Sequence, residues 1–363
     1  MNYGATLSAA WADHLAPRAH DAPTVVSLFA GCGGSSLGYS MAGYRELLAV
    51  EWDKGAAEAF ARNFPGVPLF QGDISTLDPA VLNLAPGELD VLDGSPPCQG
   101  FSMAGLRRPD DPRSGLFREY VRLLSAWTPK VFVMENVTGL VRGKMRLVFV
   151  EILAALKAAG PGYRVEARVL DASQLGVPQA RRRVVFVGVR ADLDTPPALP
   201  PPARTVLTVR DAWADLDPSE IGEYPLIDAA RHKGAALVRI VQPGTHAGQA
   251  LVSAGRKPSF YALARLHWGR PSQTIIRTVC GSGGGGLLHP HEDRFIGTRE
   301  LTRLQSFPDQ YDWGAITYKH LHALVGNSVP PLMMRAIATT VRDTLDEVQR
   351  RPATVAIAIP PTA

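Results

Sequence analysis

The sequence predicts an α/β protein with a doubly wound, mostly parallel sheet and a second, smaller β-rich domain. Short apolar runs alternate with helical patterns through the first half of the chain. Several of these runs end in a glycine turn or an acidic residue, at the strand ends where open α/β sheets hold ligands. A proline-dense segment at 196–202 then interrupts the pattern and predicts a domain boundary.

Composition is that of a globular protein. The 363 residues are 46% hydrophobic and 20% charged, which suffices for one large domain and a smaller one. The apolar runs are too short and interrupted to span a bilayer. Residues 1–22 contain Asp13 and Asp21 and lack a signal-peptide pattern, so we expect a flexible tail.

The cysteines suggest a reducing compartment. There are three, Cys32, Cys98 and Cys280, and they are widely separated. An odd number without metal-ligand spacing argues against a disulfide framework and against a metal site. We therefore expect a cytoplasmic protein that uses no metal.

The first three predicted strands end in groups that suit a nucleotide. The run 24–29 leads into AGCGG at 30–34 and then a small-residue helix. The second strand ends at Glu51, which can hold ribose hydroxyls, and Trp52, which offers a flat face to an adenine ring. The third leads to Asp73, which can accept from an exocyclic amine. Each residue alone is equally a cap or a packing residue, and only their order favours a nucleotide site.

The next predicted strands carry the chemically reactive candidates. The run 89–93 leads into GSPPCQGFS at 94–102, whose prolines and glycines exclude a helix and place Cys98 on a stiff loop. A free cysteine is more often a packing residue than a nucleophile. After a helix at 113–127, the strand 131–134 carries Glu135 at its end. A helix at 144–159 and strands at 163–170 and 184–189 follow, with QARRR at 179–183 in the turn before the last.

The second half divides into shorter segments. We predict a small domain at 196–270, a glycine-rich hinge at 271–298, helices that complete the first domain at 299–349, and a frayed end at 350–363. No acidic residue occurs between 229 and 291, and this stretch contains eight basic residues: Arg231, Lys233, Arg239, Arg256, Lys257, Arg265, Arg270 and Arg277. Such a surface favours a polyanionic partner, although it is also compatible with a solvated basic face.

Four motifs together resemble the DNA cytosine-5 methyltransferase family. They are PPCQ at 96–99, ENV at 135–137, QARRR at 179–183 and GNSVPP at 326–331. The match covers roughly residues 25–190 and 270–342, and the skipped region corresponds to the family's variable target-recognition domain. The resemblance implies a Rossmann-like methyltransferase sheet over 23–195, S-adenosyl-L-methionine as cofactor and double-stranded DNA as substrate. One departure is Ser27, where the family usually has an acid.

The chemistry of cytosine gives each candidate a role. C5 is a weak nucleophile until a thiolate adds at C6, and Cys98 supplies the thiol. Glu135 is expected at N3 and Arg183 at O2 as a cationic donor, with Arg181 holding Glu135 or a phosphate. Because a stacked cytosine hides C6, the base must be flipped out of the duplex.

The remaining site predictions fall into two sets. The predicted cofactor residues are Phe29, Gly31, Gly33, Glu51, Trp52, Asp73, Ile74, Leu116, Asn327, Ser328 and Val329. The predicted DNA contacts are Gln99, Ser102, Arg256, Lys257, Tyr261, Arg265, Thr274 and Arg277. Thr274 matches a family position that contacts a phosphate beside the flipped base, and Arg265 or Tyr261 is our candidate for filling the gap that the base leaves.

We interpret the chain as a monomeric modification methyltransferase that makes 5-methylcytosine, with a restriction endonuclease as functional partner and no membrane association. One alternative is a transfer-RNA cytosine methyltransferase, which uses the same scaffold. The GFS sequence after Cys98 and Gln99 favours DNA, because the RNA branch has Pro-Phe-Thr there. Another is a catalytically silent DNA-binding repressor, which would have no use for Glu135, Arg181 and Arg183.

Overall fold

A seven-stranded sheet forms the centre of the molecule. The computed structural model describes residues 2–97, 112–225, 238–253, 255, 263–278 and 286–350. The strands of the sheet are β1 (Thr24–Leu28), β2 (Arg45–Glu51), β3 (Leu69–Gln71), β4 (Val91–Gly94), β5 (Val131–Val137), β6 (Tyr163–Asp171) and β8 (Arg182–Arg190), and a short β7 (Gln179–Ala180) lies outside it. Their order is β3-β2-β1-β4-β5-β8-β6.

The strand directions place the carboxyl ends of β1 to β5, with Glu51 and Glu135, at one edge of the sheet. Strands β3, β2, β1, β4 and β5 are parallel, whereas β8 runs antiparallel to both β5 and β6. The predicted doubly wound, mostly parallel sheet is confirmed. The chain reverses its direction of winding between β1 and β4, the switch point at which such sheets bind ligands. Because β8 is antiparallel, its first residues lie beside the end of β5, with Arg183 opposite Val137.

Helices cover both faces. They are α2 (Gly34–Met41), α3 (Lys54–Asn63), α4 (Pro112–Trp127) and α5 (Arg146–Ala158) in the first half. On β1, Val25 packs into one core layer and Val26 into the other, as the alternation of side chains along a strand requires. Within the described ranges no helix is long and apolar enough to cross a membrane.

The amino terminus is a packed helix. Residues 1–22 were expected to be a flexible tail, and this prediction is wrong over α1 (Tyr3–Leu15). Tyr3, Leu7 and Ala10 recur at helical spacing and are buried in the main core. His14 fixes the end of α1, because its ring nitrogens lie 2.7 Å from the Ser40 hydroxyl and 3.1 Å from the Asn63 carbonyl oxygen.

The first part of the second half packs into the main hydrophobic core, and the part after it forms a separate, smaller core. Its elements are α6 (Val209–Trp213), α7 (Ala247–Ser253), β9 (Leu263–Arg265), β10 (Ser272–Gln273), β11 (Gly286–Leu288), α8 (Thr298–Leu304), α9 (Tyr318–Asn327) and α10 (Pro331–Arg350). Leu199 and Trp213, which follow the boundary predicted at 196, pack into the main core, and the boundary itself stays a prediction. A separate small core begins with Val238 and includes Phe295 from the predicted hinge. The β-rich character of the small domain stays a prediction, since much of it lies outside the described residues.

Candidate active site

The turn after β1 requires glycine for two different reasons. Gly31 and Gly33 have φ angles of 57° and 88°, in the left-handed region that glycine adopts at little cost. A Cβ at Gly33 would lie 2.5 Å from the Phe64 ring, so packing also excludes a side chain there. A Cβ at Gly31 would meet nothing within 4 Å. The turn is therefore closed on its inner side and open at Gly31.

Glu51 ties the end of β2 to this turn. Its side chain is buried, and one carboxylate oxygen accepts a hydrogen bond of 2.7 Å from the Gly31 amide. The other oxygen accepts from the amides of Trp52 and Asp53 at 2.9 and 2.8 Å. Burial raises the pKa of Glu51, and these three amides oppose the rise. The carboxylate is thus fixed in orientation at the open side of the turn.

Two further predicted cofactor residues are exposed beside Glu51. Trp52 is 77% exposed, so its indole face is free. Asp73 accepts a 2.9 Å hydrogen bond from the Ser75 amide, and this bond is the main cause that lowers the pKa of Asp73. Ile74 is buried next to it. These side chains stand at the ends of β2 and β3, as predicted.

The remaining predicted cofactor residues come from the end of β1, from α4 and from the end of α9. Phe29 and Leu116 are half-buried against the same core layer. At the end of α9, Asn327 is exposed while Ser328 and Val329 are buried. A Cβ on Gly34 would lie 2.3 Å from the Val329 carbonyl oxygen, so this segment presses directly on the start of α2.

Trp52→Ala is expected to weaken binding of S-adenosylmethionine, the cofactor that the sequence resemblance implies, by about 1–3 kcal/mol, the scale of a lost base–aromatic stack. Because the indole is exposed, the substitution should hardly change the free energy of unfolding. Calorimetric titration with the cofactor measures the effect, and Leu15→Ala, which removes another exposed apolar side chain, is the control. An unchanged affinity would show that the indole does not contact the cofactor.

Two of the four catalytic candidates, Glu135 and Arg183, meet at the end of β5. Glu135 is buried, and its carboxylate pairs with Arg183 across a 2.8 Å contact between Oε1 and Nε. The side-chain amide of Asn136 donates a 2.8 Å hydrogen bond to the Pro96 carbonyl oxygen and so anchors the segment before Cys98 on β5. This role of Asn136 was missed, since the motif alone does not say which way its side chain points. Cys98, Gln99 and Ser102 lie outside the described residues.

Arg181 has a different role from the one predicted. It was expected to hold Glu135 or a phosphate, but Arg183 makes the ion pair with Glu135. Arg181 is instead 2% exposed and donates to the carbonyl oxygens of Ile275, Gly326 and Ser328. These acceptors come from segments distant in sequence, so local reading of the motif could not identify them.

Of the predicted DNA contacts, one is corrected. Arg265 is 4% exposed and donates to the carbonyl oxygens of Val238 and Val241, so it stabilises the small core and cannot fill a gap in DNA. Thr274 donates a 2.8 Å hydrogen bond to the Ala180 carbonyl oxygen, and Arg277 is exposed. Arg256, Lys257 and Tyr261 lie outside the described residues.

A buried carboxyl cluster lies beneath the glycine turn. Ser27 replaces the usual acid, and Glu46 on β2 brings a carboxyl close to it: Ser36 Oγ lies 2.8 Å from Glu46 Oε1 and 3.3 Å from Ser27 Oγ. Burial raises the pKa of Glu46 to about 7, against the effect of the serine hydroxyls. Nearby Asp93 on β4 also has a raised pKa, chiefly because it is buried. The sequence did contain a signal for this cluster, namely an acidic residue within each of the apolar strands β2 and β4.

Glu46→Gln is expected to remove a pH-dependent loss of stability. The carboxyl ionises near pH 4.5 when unfolded and near 7 when folded, so the folded state binds more protons between these values. Wild-type stability therefore falls as the pH rises through this window, by up to about 3 kcal/mol. Urea unfolding at pH 5 and pH 8 should show the variant gaining on the wild type at the higher pH. Glu58→Gln, at an exposed ion pair with Lys54, is the control. Equal differences at the two pH values would refute the assignment.

The fold and this edge define a class: α/β proteins with a fixed carboxylate and an exposed indole at the switch point and a paired acid and cation beside them. Within that class, a sequence profile described as C-5 cytosine-specific DNA methylase matches residues 23–343. The chain belongs to this family and is a DNA cytosine-5 methyltransferase.

Known proteins agree with this assignment. The chain is 35% identical to the type II methyltransferase M.DdeI of Desulfomicrobium norvegicum, over 87% of this chain and 88% of that protein. It is 36% identical to the type II methyltransferase M1.HphI of Haemophilus parahaemolyticus, over 88% and 86% of the two chains. The crystal structure of a DNA modification methyltransferase encoded within an E. coli prophage aligns with a TM-score of 0.68 and 26% identity, covering 90% of this chain and 100% of the other.

Proposed function

We propose that the chain methylates C5 of a flipped-out cytosine in duplex DNA, with S-adenosylmethionine as donor and a covalent bond between Cys98 and C6 as the intermediate. The observation that carries the proposal is the buried Glu135–Arg183 pair beside the strand that leads to Cys98. The membership of the family supports the reaction type.

The residues at the ends of β1 and β2 fit the cofactor. Glu51 has a fixed carboxylate whose lone pairs can accept from ribose hydroxyls, and Trp52 has a free aromatic face for adenine. The space at Gly31 has room for a group that a side chain would displace. When bound, S-adenosylmethionine supplies an electrophilic methyl group.

The protein's own groups activate the base. Addition of the Cys98 thiolate to C6 forms a C–S bond and moves an electron pair through C5 towards N3 and O2. When the entering base separates it from Arg183, Glu135 takes up a proton from solvent and donates it to N3, and the Arg183 guanidinium can stabilise charge at O2. Once C5 carries the methyl group, loss of the C5 proton and expulsion of the thiolate restore the aromatic ring.

The ion pair between Arg183 and Glu135 is well shielded from solvent. Arg183 and Glu135 are 13% and 9% exposed as side chains, so little water shares their charges. A cytosine that enters the site must contact both side chains, and its contacts with them replace part of the ion pair between them. The pair therefore keeps each group oriented at the site until the base arrives, which is a form of preorganisation.

The biological setting that we propose is a restriction–modification system in which this chain, as a monomer, protects sites from a partner endonuclease. The relatives named as type II methyltransferases support this setting. Thr274, Arg277 and the predicted contacts at 256–261 would hold the DNA backbone and read the bases.

The test of this function is methyl transfer from tritiated S-adenosylmethionine to genomic DNA and, in parallel, to total transfer RNA. We expect the label in DNA alone, carried by 5-methylcytosine. Bisulfite sequencing should show that the methylated cytosine lies in one short, specific sequence. Label in transfer RNA would mean that the substrate is RNA and not DNA. Label in neither nucleic acid would favour a catalytically silent DNA-binding protein.

A further inference from the structure

We propose that Arg181, Gln179 and Gln305 form a buried cross-link, here called the carbonyl clamp, through which an occupied cofactor site strengthens DNA binding. The inference rests on the proposed function, because both ligand sites are assigned there. It concerns positioning residues that touch neither ligand.

Arg181 joins the two ligand segments directly. Its Nη1 donates to the Ile275 carbonyl oxygen at 3.0 Å, one residue after the predicted phosphate contact Thr274. Its Nη2 donates to the carbonyl oxygens of Gly326 and Ser328 at 3.1 and 3.0 Å, in the predicted cofactor segment. A guanidinium is planar and rigid, so the three acceptors are held in one fixed arrangement.

The two glutamines make a second connection between the same segments. Gln179 Oε1 accepts from the Ile275 amide at 3.0 Å, and Gln179 Nε2 donates to Gln305 Oε1 at 2.5 Å. Gln305 Nε2 in turn donates to the Ser328 carbonyl oxygen at 2.8 Å and lies 3.1 Å from its hydroxyl. Both glutamine side chains are fully buried. Ile275 and Ser328 are thus joined twice.

Backbone packing leaves no slack between the segments. A Cβ on Gly326 would lie 2.5 Å from the Ile276 carbonyl oxygen, so the end of α9 lies directly on the DNA-contacting segment. Within the described residues the Arg181 Nε–H has no partner, and the three carbonyls therefore provide the hydrogen bonds that offset the buried charge. Breaking any of them leaves a buried donor unpaired, which is costly.

These contacts predict energetic coupling. A cofactor that orders the segment at Asn327–Val329 also orders the segment at Ile275 through these contacts. DNA that binds afterwards then loses less conformational entropy, so it binds more tightly. Linkage requires the reverse effect to be equal in size. Arg182 and Arg183 do not share this role, since Arg182 is exposed and pairs with Asp171 while Arg183 pairs with Glu135.

The experiment measures the dissociation constant of a duplex carrying the target mapped by bisulfite sequencing, with and without saturating S-adenosylhomocysteine. We expect the wild type to bind DNA at least about five-fold more tightly when S-adenosylhomocysteine is present. Arg181→Lys keeps the charge but cannot reach three carbonyls, and Gln305→Met breaks the second connection at similar volume. Each variant breaks one of the two connections and should lower the ratio of the two dissociation constants by at least half, the double variant should bring it close to one, and Arg182→Lys should keep the wild-type ratio.

Thermal unfolding shows whether each variant is folded, so that a lost ratio is not mistaken for a loss of structure. If Arg181→Lys does not fold, Gln305→Met alone tests the inference. A wild-type ratio in the folded clamp variants, or the same loss in Arg182→Lys, would overturn the inference. A wild-type protein that methylates DNA but shows no coupling would overturn it and leave the proposed function intact. The absence of methyl transfer would instead count against the proposed function.

Discussion

Cys98→Ser is expected to reduce methyl transfer by about 10⁴-fold or more, as removal of a covalent nucleophile does. A serine hydroxyl ionises far less readily than a thiol and adds poorly to C6. Cofactor affinity should stay near that of the wild type, because the groups assigned to the cofactor stand at the ends of β1, β2 and β3, on α4 and at the end of α9, and not in the PPCQ motif. Single-turnover methylation and calorimetric titration measure the two quantities.

The matched control is Cys32→Ala. Cys32 is buried in the glycine turn, and burial raises the pKa of its thiol to about 12, so it is a poor source of thiolate. This variant should retain turnover. If the Cys98 variant turned over at the wild-type rate, or if the Cys32 variant lost turnover while it still bound cofactor, the nucleophile would have to be reassigned.

Glu135→Gln has the second largest expected effect, a fall in kcat of about 10²–10⁴-fold, the usual contribution of a general acid. Glutamine keeps the size of the side chain but cannot donate a proton to N3, and its neutral amide leaves the Arg183 charge without its ionic partner. The affinities for DNA and cofactor should change only a few-fold, because the loss concerns the addition step.

Glu166→Gln provides the comparison, since Glu166 also lies on a strand and pairs with an arginine, Arg168, away from the end of β5. Its kcat should equal that of the wild type. A Glu135 variant with normal kcat and weakened DNA binding would mean that the carboxylate holds the duplex and does not assist the addition.

Local patterns predicted the parts of this site that a strand end controls. Glu51 ends β2, Trp52 follows it, and Glu135 belongs to β5, so periodicity and order along the chain were enough to bring them to one edge. The same logic placed Arg183 next to Glu135 once β8 was known to be antiparallel. The ion pair between these two was not predicted, because the direction of β8 depends on tertiary packing.

What the sequence could not predict depends on contacts between distant segments. Arg265 was expected to face DNA because its neighbourhood is basic, yet carbonyl oxygens from 238 to 292 surround its guanidinium. Arg181 was misassigned for the same reason. The α1 helix is a different case, since its apolar residues at helical spacing were visible but lay outside every recognised motif.

The most direct test of the central claim is a duplex in which 5-fluorocytosine replaces the target cytosine, incubated with the protein and S-adenosylmethionine and then denatured. Fluorine at C5 cannot leave as a proton does, so elimination of the thiolate is blocked and the complex should persist. We expect a covalent protein–DNA species that depends on the cofactor, with peptide mass spectrometry placing the bond at Cys98. A protein that methylates the normal duplex but forms no such species, or forms it through another residue, would contradict the account.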